Sequence, residues 1–244
     1  MPIIRIEGKL VYFAHVPKCA GTSVEEYAIA RFGPIALQDR RFFQRDPESR
    51  WTRTSAQHVT ATEFERLIPR DYIADAFTVV RHPVARLVSA FKFAQRYRNL
   101  TWISLPRFLD RIAGFDDATH FAYDNHFRPM SDIVPDWTET VLRLEEGDGQ
   151  IVSYFDRLAG DTAGARRLPR AQAHREAPPP RGALRGLKRG LKAPPVPALT
   201  EGLCRRIYSL YETDYDRFGY GWDDPLQAGA APSPGQLEEQ EQKV

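Results

Sequence analysis

A lysine, a glycine and two hydroxyl residues stand close together in Pro17–Ser23, PKCAGTS, directly after a short apolar run and directly before a segment of helical spacing. Leu10 to Val16 is rich in β-branched and aromatic residues, as in a strand buried on both faces of a parallel sheet, and Pro17 ends it. Gly21 supplies a small residue where backbone must approach a ligand. Thr22 or Ser23 is placed to cap a helix, with Glu25 and Glu26 in its first turn. Strand, tight loop and helix in this order aim backbone N–H groups and the positive end of a helix dipole at one spot. That chemistry suits phosphate or sulfate, and Lys18 adds a mobile positive charge. The competing reading is an ordinary strand-to-helix loop with a chance lysine. A loop that hydrolyses nucleoside triphosphates with Mg²⁺ reads GxxxxGK[ST], whereas Lys18 here lies before Gly21, so anion-binding logic is present without that metal arrangement.

A second unit repeats the pattern. Asp75 to Val80 (DAFTVV) reads as a buried strand, RHP follows, and Val84 to Arg98 carries Leu87, Val88, Phe91 and Ala94 at helical spacing. Arg81 ends the strand and Ser89 lies on the helix, an arginine fork plus a hydroxyl that suits a second phosphate group. Arg86, taken alone, is expected to pair with an acid at the surface.

These loops need a framework. Strands are expected at Leu10–Val16, Asp75–Val80 and Thr140–Leu144, and helices after the first loop, from Thr60 or Thr62 to Pro69, over 84–98, 105–113 and 151–158, and from an N-cap at Thr200. Strands alternating with helices imply a parallel α/β sheet with ligands beyond the carboxyl ends of the strands. The 244 residues, 42% hydrophobic and 27% charged, suit one main globular domain over 1–222, with a tail over 223–244 read as disordered. Phe32 to Ser55 is a long polar excursion mixing arginines with aromatics. Net charge is only +2, so nothing global argues for nucleic acid, although Arg157–Lys192 carries ten basic residues against two acids. The basic, Pro-rich stretch 160–197 is expected to be a mobile insertion. Cys19 and Cys204 give neither a disulfide framework nor a zinc spacing, which favours a reducing compartment. In the anion loop, Cys19 is either a thiol of lowered pKa or simply a small residue. No apolar run approaches membrane-spanning length and no leader is evident, so a cytoplasmic protein without a transmembrane segment is expected.

PKCAGTS after one strand and VRHPVARLVSAF after another, with QHVTATEF between them, NHFRPMSD and VLRLEE beyond, and YETDYDRFGY near the end, resemble the sulfotransferases that use 3'-phosphoadenosine-5'-phosphosulfate, specifically the carbohydrate group called sulfotransferase family 2. The resemblance implies a P-loop-NTPase-like three-layer α/β fold. By it, Pro17, Lys18, Cys19, Ala20, Gly21, Thr22 and Ser23 cradle the donor, with Lys18, Gly21, Thr22 and Ser23 on the 5'-phosphosulfate. Arg81 and Ser89 hold the 3'-phosphate. The desulfonated 3',5'-bisphosphoadenosine is the product, and no metal is expected. The acceptor is a hydroxyl of a carbohydrate or glycolipid, attacked in line at sulfur.

A base must take the acceptor's proton, and histidine titrates nearest working pH. His58 is the first choice and His126 the reserve. Asn125, His126 and Arg128 resemble the family's segment lining the acceptor side, with Arg128 either holding an acidic sugar or pairing with Asp132. Met130 stands where many members carry Gln. His15 and His82 are expected to pack or orient loops, and Glu145 to hold loops by hydrogen bonds. Two alternatives remain at this point: an atypical phosphoryl-transfer kinase, and a non-catalytic nucleotide- or glycan-binding protein on the same fold.

Overall fold

The computed structural model describes residues 1–97, 102–169 and 194–225. The expected insertion lies outside the described residues from 170 to 193, and the expected tail from 226 onward.

Four strands form one sheet in the order β1 (Ile3–Ile6), β2 (Lys9–Ala14), β3 (Asp75–Val80) and β4 (Thr140–Arg143). β2, β3 and β4 run parallel, Phe13 beside Phe77 and Phe77 beside Thr140. The sequence reading did not anticipate β1, which pairs antiparallel with β2 through a two-residue turn at Glu7 and Gly8, φ 47° and 77°. Positive φ at both central residues matches the twist of the flanking strands.

Side-chain alternation turns this sheet into three layers. Phe13 stacks on Phe77 at 4.8 Å, and Phe77 packs on Tyr154 and Phe155 of α6 (Gly149–Ala159), which also meets Tyr27 of α1 (Gly21–Phe32). The preceding residue of β2, Tyr12, points the opposite way and stacks on Phe64 of α2 (Ala61–Leu67) at 3.9 Å. α2 starts as the spacing predicts: Thr60 accepts from Glu63 N while the Glu63 carboxylate accepts from Thr60 N. A second apolar cluster joins α3 (Pro83–Tyr97), α4 (Leu105–Ile112) and α7 (Glu201–Phe218) through Phe91, Phe108, Ile207 and Tyr211.

One side chain connects these parts. Arg86 on α3 is 1% exposed, so it makes no surface ion pair, contrary to expectation. Its Nε donates to Pro17 O at 3.3 Å, and Nη2 donates to Arg128 O at 2.6 Å and His126 O at 3.4 Å. Nη1 stands 4.0 Å from the Asp214 carboxylate on α7, which accepts from Met130 N and Ser131 N, both at 2.8 Å. A departure from helical dihedrals at Tyr211, whose hydroxyl donates to Phe127 O, interrupts α7 just before Asp214. The first loop, α3 and the 126–128 segment therefore share one guanidinium.

Removing that guanidinium strands three carbonyls and a buried carboxylate at once. Arg86→Met should cost about 3–5 kcal/mol in urea unfolding, whereas Arg206→Met, which loses an exposed pair with Asp110, should be nearly silent. Similar midpoints for the two variants would refute this role.

Candidate active site

The first loop does not cap its helix in the way the sequence suggests. α1 begins at Gly21 with Ala20 as N-cap in the left-handed conformation and with no side-chain cap, so neither Thr22 nor Ser23 plays that part. Within the first turn Ser23 N donates back to Ala20 O at 2.9 Å, and Ala20 offers no side-chain cap to the N–H groups before it. An uncapped N-terminus is what an anion site requires. Lys18 and Ala20 both hold positive φ, 71° and 60°, a conformation that costs a non-glycine residue about 1 kcal/mol or more. Gly21 is demanded by contact: a Cβ there would lie 1.9 Å from the His15 ring.

A cavity of about 490 Å³ opens over this loop, and its walls bring together Lys18, Ala20, Gly21, Thr22, Ser23, Arg81, Ser89, His58 and His126. Two strand ends and two helix starts thus converge as the two-unit pattern requires. Burial, and then the neighbouring Arg81, hold the Lys18 ammonium below its ordinary pKa. Two cations lining one partly buried cavity favour an anion there. Lys18 Nζ also lies 4.5 Å from the centre of the Phe93 ring. Pro17 and Cys19 lie behind the wall. Pro17 contributes its carbonyl to Arg86 and Cys19, and burial pushes the Cys19 thiol up to about 12, so the reading of a reactive, lowered thiol is overturned.

The opposite wall is a row of imidazoles. His15, His58 and His126 meet edge to face, with centroids 4.8 and 5.1 Å apart, and His126 stacks on Phe93 at 5.0 Å. His58 Nδ1 lies 2.8 Å from Asp124 Oδ2 and 3.1 Å from Ser55 Oγ. Ser55 also gives its N–H to Asp124 Oδ1 at 2.7 Å. Burial alone would raise the Asp124 carboxyl, but His58, His126 and the Ser55 N–H bring it down to about 2. The ionised carboxylate fixes the proton of His58 on Nδ1 and leaves Nε2 as the basic nitrogen. His126 Nδ1 lies 3.0 Å from Tyr123 O and 3.2 Å from Asp124 O, two acceptors that favour a proton on Nδ1. At the far end, His15 Nδ1 donates to Glu25 Oε1 at 2.6 Å, and Gln38 binds the other oxygen. The first turn of α1 holds no acid, contrary to expectation, and Glu25 beyond it is a buried anchor.

Asn125 and Arg128 do not reach the cavity. Asn125, fully buried, donates to His58 O at 2.7 Å and accepts from Arg128 Nε at 2.9 Å, and Arg128 pairs with Asp117 at 2.6 Å and Asp132 at 3.4 Å. The structure therefore places both in support of the histidines. Met130 is buried in the sheet core, so its departure from Gln alters packing, away from the cleft. Glu145 ties the second loop, accepting from His82 N at 2.8 Å and Tyr220 Oη at 3.0 Å. Asp124, Ser55 and Phe93 carry no role in the sequence reading. Phe93, one helical turn past Ser89, shares its face and was the most accessible to periodicity.

His58, Asp124 and His126 offer ligand atoms within 4.8 Å of one another, the one such group that could hold a metal among the described residues. The Asp124 oxygens are already satisfied by His58 and Ser55, so the cluster is complete as a hydrogen-bonded unit.

The family profile described as "Sulfotransferase family" matches residues 3–221, and the chain belongs to sulfotransferase family 2. It is accordingly a sulfuryl-transferring protein with a P-loop-like fold, in which the parallel sheet and its two strand-loop-helix units carry the site. Comparison with curated proteins and comparison with solved structures each gave no match.

The folded-state depression of Glu25 to about 2 gives a signed expectation. The unfolded chain binds that proton first, near pH 4.5, so this contribution is full above that value and fades as pH falls toward 2. The stability advantage of the native chain over Glu25→Gln, read from urea midpoints, should be largest near neutrality and shrink below pH 4.5. A difference independent of pH would exclude the mechanism.

Proposed function

We propose that the protein transfers a sulfuryl group from 3'-phosphoadenosine-5'-phosphosulfate to a carbohydrate hydroxyl. One observation carries this reading: a single cavity faces Lys18, the uncapped start of α1, Arg81 and Ser89 on one side and a carboxylate-anchored histidine on the other. The donor set fits a nucleotide with anionic groups at both ends. The first loop would hold the 5'-phosphosulfate, and Arg81 with Ser89 the 3'-phosphate. When bound, the donor supplies a sulfur centre whose bond to the phosphate oxygen breaks as the acceptor oxygen attacks.

The protein's own residues then do the rest. His58 Nε2 takes the acceptor's proton, and Asp124 stabilises the imidazolium that results. Lys18 and the α1 N–H groups face the oxygen on which negative charge grows, so they favour the transition state over the ground state. His126 orients the row and is the reserve base. Asn125 and Arg128 position both rings. No step calls for a metal. Two unpaired, buried thiols accord with a reducing, cytoplasmic setting, and among the described residues no helix is long and apolar enough to cross a membrane.

Calorimetry with 3',5'-bisphosphoadenosine, and with ATP plus Mg²⁺ in parallel, tests the donor half. Micromolar binding of the former, lost in Arg81→Ala, is expected, and preference for ATP would overturn the assignment in favour of phosphoryl transfer. For the chemistry, His58→Ala should lower turnover by about 10²–10⁴-fold with little change in nucleotide affinity. Asp124→Asn should lower it too, and turnover should survive EDTA. If only His126→Ala has this effect, the base is His126.

A further inference from the structure

We propose that the segment following α7 sets the protein's grip on the donor's 3'-phosphate, with Tyr220, Glu145 and His82 as positioning residues that act through Arg81. The inference rests on the donor reading above and gives the 3' end of the nucleotide a support from 139 residues further along the chain. Two stretches that hold none of the groups assigned to the chemistry, VLRLEE over 141–146 and YETDYDRFGY over 211–220, meet at the second loop. Arg81 stands between Val80, the last residue of β3, and His82, with α3 beginning at Pro83, so the turn at His82 decides where the guanidinium goes. His82 is 6% exposed, and its N–H, its carbonyl and both ring nitrogens are engaged. Its N donates to Glu145 Oε1 at 2.8 Å and its O accepts from Arg86 N at 2.9 Å. Nδ1 accepts from Val84 N at 3.2 Å, which puts the ring proton on Nε2, where Gly221 O accepts it at 3.0 Å.

Tyr220 closes the arrangement. Its hydroxyl donates to Glu145 Oε2 at 3.0 Å and its ring meets the His82 ring edge to face at 5.1 Å, so one carboxylate is held from both sides. Arg143 at the end of β4 keeps this segment in place. It donates through Nη2 to Phe218 O at 2.7 Å and Gly219 O at 3.0 Å, and lies 5.0 Å from the centre of the Tyr220 ring. Gly219, φ 64°, turns the chain off α7, and Asp224 Oδ2 accepts from Gly221 N at 2.7 Å. None of Tyr220, Glu145 and His82 lines the donor cavity, whereas Arg81 and Ser89 do, so the three act on the phosphate through the loop. A guanidinium matches two phosphate oxygens only within a narrow geometry, and a loop residue tied at backbone and ring supplies it. The histidine wall has other supports, among them α5 (Asp117–Ala122) through the Asp117–Arg128 pair, and the Tyr220 hydroxyl touches none of it.

The test separates the 3'-phosphate from the rest of the nucleotide. The full chain is titrated calorimetrically with 3',5'-bisphosphoadenosine and with AMP, which lacks that phosphate, and the native chain should prefer the former. Tyr220→Phe, which keeps the ring and removes one hydrogen bond, should reduce that preference about fivefold with AMP affinity unchanged. Glu145→Ala, which releases the His82 N–H as well, should reduce it further. Tyr208→Phe, a hydroxyl lost from α7 beside Glu212, should leave it intact. Equal losses for both nucleotides in Tyr220→Phe would mean a general folding role, and an unchanged preference would mean no role. Either result overturns the proposal while leaving the donor site standing. A native chain with no preference for the bisphosphate would instead strike the donor reading on which it rests.

Discussion

The Arg86 guanidinium is the constraint on which the site depends. Its donors reach the carbonyl of Pro17, which ends the first strand unit, and the carbonyls of His126 and Arg128, which belong to the histidine wall. Loops extend from a sheet with freedom of their own, and three hydrogen bonds and one ion pair from one rigid fork remove much of it. Asp214, on the far side, adds the Met130 and Ser131 N–H groups, so α7 closes the frame from behind. A buried ion pair contributes little net stability as a rule. Here the more important consequence is geometric, because the anion loop and the base keep a fixed separation.

Backbone conformation supports the same conclusion. Lys18 and Ala20 in one loop and Asp124 and Asn125 in the other all hold positive φ without being glycine. These are the residues that present the ammonium, the helix start and the carboxylate. Unfavourable dihedrals survive only where surroundings overdetermine them, and Arg86 with the Asn125–His58 bond provides that surrounding. Strain and site coincide, as expected of a preorganised centre.

Much of the fold was legible because period-two burial and capping signals are local. β3 begins and ends at the residues read from DAFTVV, and Thr60 and Thr200 both cap helices. β1 was missed because IIRI is too short to stand out, and the α1 cap was misassigned because the loop leaves its N–H groups for a ligand instead of a hydroxyl. The two anion loops were legible as motifs. Their neighbours were less so: Arg86 looked like a surface charge because one-dimensional spacing does not reveal that three carbonyls surround it, whereas of the two readings open for Arg128 the pairing with Asp132 is the one seen. Asp124 sits in a quoted motif, yet its role follows only from a left-handed turn that brings it to His58.

The row of His15, His58 and His126 carries a further consequence. Burial pushes His15 toward the neutral form against the pull of Glu25, and charge on His58 pushes the same way. Positive charge on His58 therefore makes a proton on His15 less welcome. Apparent pKa values belong to such a coupled set, not to a member of it. Glu25, outside the cavity lining, thus reaches the site through His15, which it binds at 2.6 Å and which meets the His58 ring edge to face.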